Sequence, residues 1–509
     1  MGTFGILGIS LYLYLPIRAV ASPDLNWGDP SSWGRFTFNF LRTQYQQAEG
    51  TGTVGVWMRQ WIQFAKATGL EFPALLLPAL AGAAAAWKDR RPFARGMLLA
   101  WGSLAFVLGV YLNLTQDRYH LIGAYALSGH VFIILFAAWA AAAWIARAPA
   151  DALGWKGRRG RGRLALIVLL ALLVPFAALR WTRSRQTDYT FTWDYNLNVW
   201  RCLPRDALYF VRGDSIVFPN WYFQWVGGLR RDLAVIGVDG LPMRWVRVVL
   251  ERDHPGLKVP FPERQVPFVG NESIPPMVRF LFYANRGRGS WFSYNKIEDE
   301  SVPEAKLVPY GLAYQGVLPA LGGALPALDE ARVERAWSGV RFRHLEDRGE
   351  SRDVRTREHL LKDYAVIRNG LGVYYEDLAD AEIARAKKEK REPSPKILEH
   401  DYQGCYEAFL WAHEWAPRDH EFAFNVGNSL FHLGRIAEST AWYELSTELD
   451  PVYPDSYYNW GVAEYQRGNY QRAGELFDQT LALDPDKKEA DDAVKYMLYK
   501  GMYRRPRTF

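Results

Sequence analysis

A set of residues near the C-terminus recurs at a spacing of 34, and this spacing constrains the fold of that region strongly. Gly427, Gly434, Tyr443 and Pro451 return as Gly461, Gly468, Phe477 and Pro485. Asp precedes both prolines, and Pro417 extends the series one step toward the N-terminus. Such a period predicts pairs of helices stacked into a solenoid. In each pair small residues let the two helices approach, an aromatic ring fills the gap, and Asp-Pro ends the second helix.

Thirty-four residues is the period of tetratricopeptide repeats. We count two full repeats, a degenerate repeat around Tyr402 to Pro417 and a capping helix from about Lys487 to Lys500. These assign residues 401–500 to an α-solenoid. Stacked repeats either form a concave surface that binds a protein acceptor or partner, or dock on their own chain, and the sequence leaves both alternatives open.

Apolar runs dominate the N-terminal third of the chain. They cover roughly 3–20, 70–87, 96–113, 123–146 and 164–181. Each is near the ~20 residues that cross a ~30 Å hydrocarbon layer. We therefore predict a membrane-embedded α-helical bundle of about five spans over residues 1–182, with an outward loop at 21–69 and membrane lipid as a partner. Ala19-Val20-Ala21 also imitates a signal-peptidase site, so the first run is either a retained span or a cleaved signal.

Basic residues cluster in two loops between these runs. They are Lys88, Arg90, Arg91 and Arg95 in one loop, and Arg147, Lys156, Arg158, Arg159, Arg161 and Arg163 in the other. Both loops are predicted to be cytoplasmic, which places the region after Trp181 on the periplasmic, extracellular or lumenal side. The loops also account for much of the net charge of +6, so the charge predicts no nucleic-acid partner.

Residues 185–320 are predicted to form a soluble α/β domain. The apolar runs 207–212 and 233–238 flank a helical pattern, which indicates a β-α-β unit, and further strand-like runs follow at 290–294 and 305–317. The glycines do not form a dinucleotide-binding fingerprint. Residues 321–400 are predicted to be a linker and adaptor helices. Cys202 and Cys405 match no metal-binding spacing, and a disulfide between them is neither required nor excluded.

Several motifs lie between residues 5 and 250. They are Leu11–Arg18, Asn26–Pro30, Trp33, Arg35, Phe36, Asp117–Tyr119, Gly213-Asp214, Phe218-Pro219, Trp221-Tyr222, Gln224 and Arg231–Val235. Together they resemble a multispanning family long catalogued as a domain of unknown function. That family is related to the GT-C glycosyltransferases and includes protein O-mannosyltransferases with tetratricopeptide tails.

The resemblance implies transfer of a sugar from a polyprenyl-phosphate donor to an acceptor outside the cytoplasm. Family members begin with further spans and an acidic residue in their first outward loop, whereas this chain starts at what resembles a late span. We therefore interpret the chain as the C-terminal half of a GT-C-like glycosyltransferase, with no cofactor beyond its donor. The alternatives are a non-catalytic membrane-anchored scaffold for an extracytoplasmic protein, and a subunit that presents an acceptor protein to a catalytic partner.

Arg118 is the candidate for binding the lipid phosphate, because guanidinium grips phosphate through two hydrogen bonds. It equally suits pairing with Asp117 or contact with lipid headgroups. Asp24 and Asp29 are the candidates for a catalytic carboxylate, and Asp29 before Pro30 suits a turn or a helix cap as well.

Aromatic and polar residues supply candidate sugar or ligand contacts. Trp27 and Trp33 are candidates for stacking on a sugar ring, and anchoring of the chain at the membrane interface is the alternative. Asp214, Trp221, Tyr222 and Gln224 follow a predicted strand, where α/β domains commonly hold ligands, although capping and packing explain them too. No cluster has metal-ligand spacing.

Overall fold

The computed structural model describes residues 14–21, 29–40, 55, 58–62, 66, 73–89, 92, 94–99, 132–143, 167, 190–260, 274–293, 301–319, 325–341, 343 and 354–505. The chain divides into two compact units, Met1–Gln186 and Thr187–Phe509. The second unit combines a mixed β-sheet with the helical solenoid.

The first unit contains α1 (Tyr14–Val20), α2 (Trp33–Phe40) and α3 (Pro73–Asp89). Small residues on α3 allow close packing against residues 132–143. A Cβ atom on Gly82 would overlap the backbone carbonyl of Phe136, so a larger residue at this position would separate the two segments.

The helices of this unit contradict the predicted membrane-spanning bundle. Within the described ranges, no helix is both long enough and apolar enough to cross a bilayer. The predicted run 70–87 corresponds to α3, which has 17 residues and is about 25 Å long, short of a ~30 Å hydrocarbon core. The predicted fold class, lipid contact and extracytoplasmic location depended on the spans and are corrected with them.

The other predicted spans fall largely outside the described residues. Of these four runs the structure describes 14–20, 96–99, 132–143 and residue 167. The basic loop at 147–163 is outside the description as well.

The second unit is built on a five-stranded sheet. Its strands are β1 (Leu208–Val211), β2 (Ala234–Gly237), β3 (Ser290–Phe292), β4 (Lys306–Pro309) and β5 (Tyr314–Val317). The order is β2-β1-β3-β5-β4; β1 runs parallel to β2 and β3, and the antiparallel hairpin β4–β5 joins the edge of β3. All eight residues of β1 and β2 are buried, as expected for parallel strands covered on both faces.

Helices cover this sheet. They are α4 (Phe191–Cys202), α5 (Asp214–Trp225), α6 (Arg244–Asp253), α7 (Ile274–Ala284) and α8 (Glu330–Ser338). Because α5 connects the parallel strands β1 and β2, the structure contains a β-α-β unit between residues 207 and 238.

One long helix, α9 (Val354–Glu389), connects the sheet to the solenoid. It has 36 residues and is therefore about 54 Å long. Leu360, Tyr364 and Ile367 in its first half belong to the hydrophobic core of the sheet. Its second half packs along α10 (Pro395–Trp415), where Ala379 contacts the apolar cluster of the solenoid. The helix thus contributes side chains to the hydrophobic cores of both the sheet and the solenoid.

The solenoid continues as α11 (His420–His432), α12 (Ile436–Leu449), α13 (Pro454–Gln466), α14 (Tyr470–Leu483) and α15 (Lys488–Tyr499). A Cβ atom on Gly427 would lie 2.7 Å from the Tyr443 ring, and one on Gly461 would lie 2.7 Å from the Phe477 ring. Both α12 and α14 end directly before Asp-Pro. The helix pairs that the 34-residue period predicts are therefore present in α11–α14.

The degenerate repeat is formed by α9 and α10. Phe409 lies 34 residues before Tyr443, and it packs on Gly372 as Tyr443 packs on Gly427. Its first helix therefore comes from the segment that the sequence assigns to linker and adaptor helices.

The two cysteines are free thiols in different places. Cys202 lies in α4, whereas Cys405 is buried in α10 and donates to the Gly372 carbonyl at 3.3 Å. Burial raises the pKa of both thiols, so neither is an activated nucleophile at neutral pH.

Candidate functional site

The candidate residues of the first unit are only partly described. Asp24, Trp27 and Arg118 lie outside the described residues. The Asp29 carboxylate accepts hydrogen bonds from Ser31 Oγ at 2.8 Å and from Arg35 Nη1 at 2.5 Å, which ties the turn before α2 to that helix. Trp33 is the first residue of α2 and is 74% exposed.

The candidates of the second unit lie on α5. Trp221 is buried against Gly237 of β2, and the Gln224 amide donates to the carbonyls of Leu233 at 2.7 Å and Arg230 at 3.0 Å. Both side chains therefore hold α5 on the sheet. Asp214 begins the helix, and Tyr222 is 54% exposed on its surface.

The crevice beside α5 is too small for a ligand. Trp221 and Gln224 line a cavity of about 20 Å³ together with Asp253 and His254. A volume of this size holds about one water molecule. Among the residues that the structure describes, no group of three or more His, Cys, Asp or Glu side chains is arranged to hold a metal ion.

A different set of side chains lines the inner helices of the solenoid. The first helices of the hairpins are α9, α11 and α13. Helix α11 contacts α13 directly, and Asn425 of α11 donates a hydrogen bond to Asn369 of α9. We call the surface of these three helices the inner groove. Four half-buried asparagines lie on it: Asn369, Asn425, Asn428 and Asn459.

These asparagines connect neighbouring repeats, and we call them the carboxamide ladder. Asn425 Nδ2 donates to Asn369 Oδ1 at 2.9 Å, between α11 and α9. Asn459 Nδ2 donates to Asn428 Oδ1 at 2.8 Å, between α13 and α11. Asn425 and Asn428 share a face of α11 because residues three apart are neighbours on a helix.

The ladder leaves polar atoms for a ligand. Asn428 Oδ1 accepts from both Asn459 and the Tyr443 hydroxyl, the latter at 2.9 Å, so its amide N–H groups point elsewhere. In the described chain no side chain or backbone group forms a hydrogen bond with Asn428 Nδ2, Asn425 Oδ1 or Asn459 Oδ1. One free donor beside one free acceptor matches the C=O and N–H of a peptide backbone.

An acidic stripe follows α9 along the same groove. Asn369, Val373, Glu376 and Asp380 repeat at helical spacing, which places them on one face. Burial raises the pKa of Glu376, and the nearby charges of Asp380 and Asp377 raise it further. Burial, and then the charge of Glu376, raises the pKa of Tyr443, whose hydroxyl donates to Asn428 of the ladder.

Two lysines are paired with aspartates at the starts of α11 and α13. Lys362 Nζ lies 2.9 Å from Asp419 at the start of α11, and Lys487 pairs with Asp455 at the start of α13. Their charges therefore do not offset the acidic stripe.

Sequence reasoning missed this site, although a signal was present. Asn425 and Asn459 are 34 residues apart and occupy the same position in consecutive repeats. A polar residue that recurs at the repeat period on the inner helix indicates a surface shared between repeats.

The tetratricopeptide repeat family model matches residues 454–487, which comprise α13, α14 and the turn after them. These residues are a tetratricopeptide repeat. The chain is also 25% identical over 203 residues to the "Protein CTR9 homolog" of Arabidopsis thaliana. That alignment covers 33% of this chain and 19% of the relative, so the chain spans about a fifth of the relative's length.

Solved tetratricopeptide structures show local similarity. The Arabidopsis OM64 TPR domain matches with 16% identity over 26% of this chain and 98% of that chain, at a TM-score of 0.21. The first TPR domain of Spaghetti (RPAP3), solved bound to an HSP90 peptide, matches with 14% identity over 26% and 96%, also at 0.21. YrrB, a TPR protein with an unusual peptide-binding site, matches with 18% identity over 28% and 82%, at 0.18.

These findings contradict the predicted function of a GT-C-like glycosyltransferase. That function required a membrane bundle, and the described helices include none that could span a membrane. The similarities are to tetratricopeptide proteins, which bind peptide or protein partners. The roles of Asp24, Asp29 and Arg118 in sugar transfer were predicted from that function and stay predictions.

Proposed function

We propose that this chain is a protein-interaction scaffold rather than an enzyme, and that its inner groove binds an extended segment of a partner protein. The carboxamide ladder carries the proposal. It offers donors and acceptors at neighbouring points along the groove, and an extended peptide presents an unsatisfied C=O and N–H at every residue.

The arrangement of the solenoid supports binding through the groove. Docking on the chain's own sheet runs through the first half of α9, with Trp411 and Trp415 of α10 packed against the same core. Tyr314 of β5 donates to the Ile367 carbonyl of α9 at 3.0 Å, which fixes that junction. The first hairpin thus supplies the internal docking surface, and α11 and α13 contribute three of the four ladder asparagines.

Paired asparagine variants test the proposal. Random peptides displayed on phage are selected on the immobilised full chain, and the affinity of an enriched peptide is measured by fluorescence anisotropy. The test variant is Asn425→Ala with Asn459→Ala, which leaves the Tyr443 hydroxyl on its acceptor, Asn428. Gln479→Ala is the control, because Gln479 is an exposed amide on the outer helix α14.

We expect the double variant to bind the peptide about tenfold more weakly or worse, since each lost hydrogen bond contributes about 0.5–1.5 kcal/mol. The control should bind within about twofold of the parent chain. Failure to enrich any peptide, or equal affinity of the double variant and the control, would contradict the proposal.

A further inference from the structure

The charge of the inner groove distinguishes among peptide partners. Glu376 and Asp380 lie one turn apart on α9, and Asp377 lies close enough to raise the pKa of Glu376. Within the part of the chain that the structure describes, neither Glu376 nor Asp380 has a basic group within 4.0 Å.

Two other carboxylates of α9, Glu382 and Asp377, lie near a cation of the fold, which sets Glu376 and Asp380 apart. Glu382 is held by Arg391 through two hydrogen bonds, at 2.7 and 3.2 Å, and these lower its pKa to about 2. The positive charge of Lys306 in β4 acts on Asp377. Within the described residues, no ion pair of the fold therefore compensates the acidic stripe.

Holding Glu376 in this place is unfavourable for the unbound protein. A carboxylate that is partly removed from water and faces like charges is destabilised unless a cation approaches. A basic side chain between Glu376 and Asp380 would relieve that repulsion. The groove thus has a negative site next to hydrogen-bonding groups suited to a backbone.

We propose that the partner of the groove is an extended segment that carries lysine or arginine, with its backbone on the carboxamide ladder and a basic side chain between Glu376 and Asp380. The inference rests on the proposed function and specifies its partner. Tyr443 connects the two sites, because its hydroxyl contacts Asn428 and its ring lies within the field of Glu376.

Three matched peptides test this inference on the full chain. They share one extended Ser/Ala sequence and carry lysine, glutamine or glutamate at the same spaced positions. Affinities are measured by fluorescence anisotropy for the parent chain and for two double variants. Glu376→Gln with Asp380→Asn removes the stripe, and Glu444→Gln with Glu448→Gln removes two exposed carboxylates from the outer helix α12.

We expect the lysine peptide to bind the parent chain about tenfold more tightly than the glutamate peptide, as charge-assisted contacts in a half-buried groove allow. Loss of the stripe should remove most of that preference, while loss of the two α12 carboxylates should leave it within about twofold. An equal effect of both pairs would show unspecific attraction to negative charge and overturn the inference.

The outcomes separate this inference from the proposed function. Equal binding of all three peptides, with affinity that still depends on Asn425 and Asn459, would overturn the charge preference and leave the groove function standing. Preference for the glutamate peptide would do the same. Absence of binding by every peptide would overturn both.

Discussion

At the scale of single residues, the acidic stripe lowers the stability of the unbound chain, and we propose that it binds a basic side chain of the partner. Glu376 is partly buried beside Asp377 and Asp380, and no cation of the described chain pairs with it. Binding residues often destabilise the unbound fold in this way. The cost is measurable without any partner.

Replacement of Glu376 by Gln is predicted to stabilise the unbound chain at neutral pH. The folded-state pKa of this carboxyl is raised, so its ionisation destabilises the fold as the pH rises above the unfolded value of about 4.3. Thermal unfolding at about pH 8 should show a higher Tm for Glu376→Gln, and the difference should shrink at about pH 4. Glu444→Gln serves as the exposed control; a Tm gain that is equal at both pH values would contradict the argument.

Two glycines of one repeat should respond differently to substitution. Gly427→Ala places a methyl group against the Tyr443 ring and should cost about 1–3 kcal/mol. Gly434 has open space but a φ of +75°, so Gly434→Ala should cost about 1 kcal/mol and Gly434→Asn less. Gly427→Asn should instead destabilise the fold more than Gly427→Ala does. Urea unfolding of the four variants measures the order, and the same order at both positions would refute this distinction.

At the scale of elements, the sequence predicts the solenoid better than any other part. The period depends on local contacts between adjacent helices, such as Gly461 with Phe477, and these leave a direct trace in the sequence. The order of the sheet leaves no such trace, because β3 pairs with β1 about 80 residues earlier in the chain.

The membrane prediction was wrong because hydropathy reports only that a segment avoids water. The run 70–87 has the composition of a span, yet the helix begins at Pro73 and ends at Asp89. Its alanines and Gly82 pack against residues 132–143. The inner asparagines were missed for the opposite reason, since polar residues on a helix are ordinarily taken as solvated.

At the scale of the whole molecule, α9 joins the sheet and the solenoid within the second compact unit. Asp363 lies at this junction, where Tyr195 of α4 and Tyr209 of β1 sense its charge. Burial raises the pKa of Asp363 to about 7. The junction therefore contains a carboxyl group that is more favourable when protonated.

Asp363→Asn is predicted to make the second unit more stable at alkaline pH. Because the folded pKa is above the unfolded value, stability falls as the pH rises from about 4 through about 7 and stays low above it. The variant should lose this dependence and gain of order a few kcal/mol at about pH 8, with little change at about pH 4. Chemical unfolding across this range measures this dependence, and an unchanged pH profile would contradict the raised pKa of Asp363.

The central claim is that the inner groove binds an extended peptide, and hydrogen exchange of the full chain with and without a selected peptide tests it most directly. We expect added protection in α9, α11 and α13, with α12, α14 and the sheet unchanged. Protection confined to the outer helices or to the sheet would contradict it.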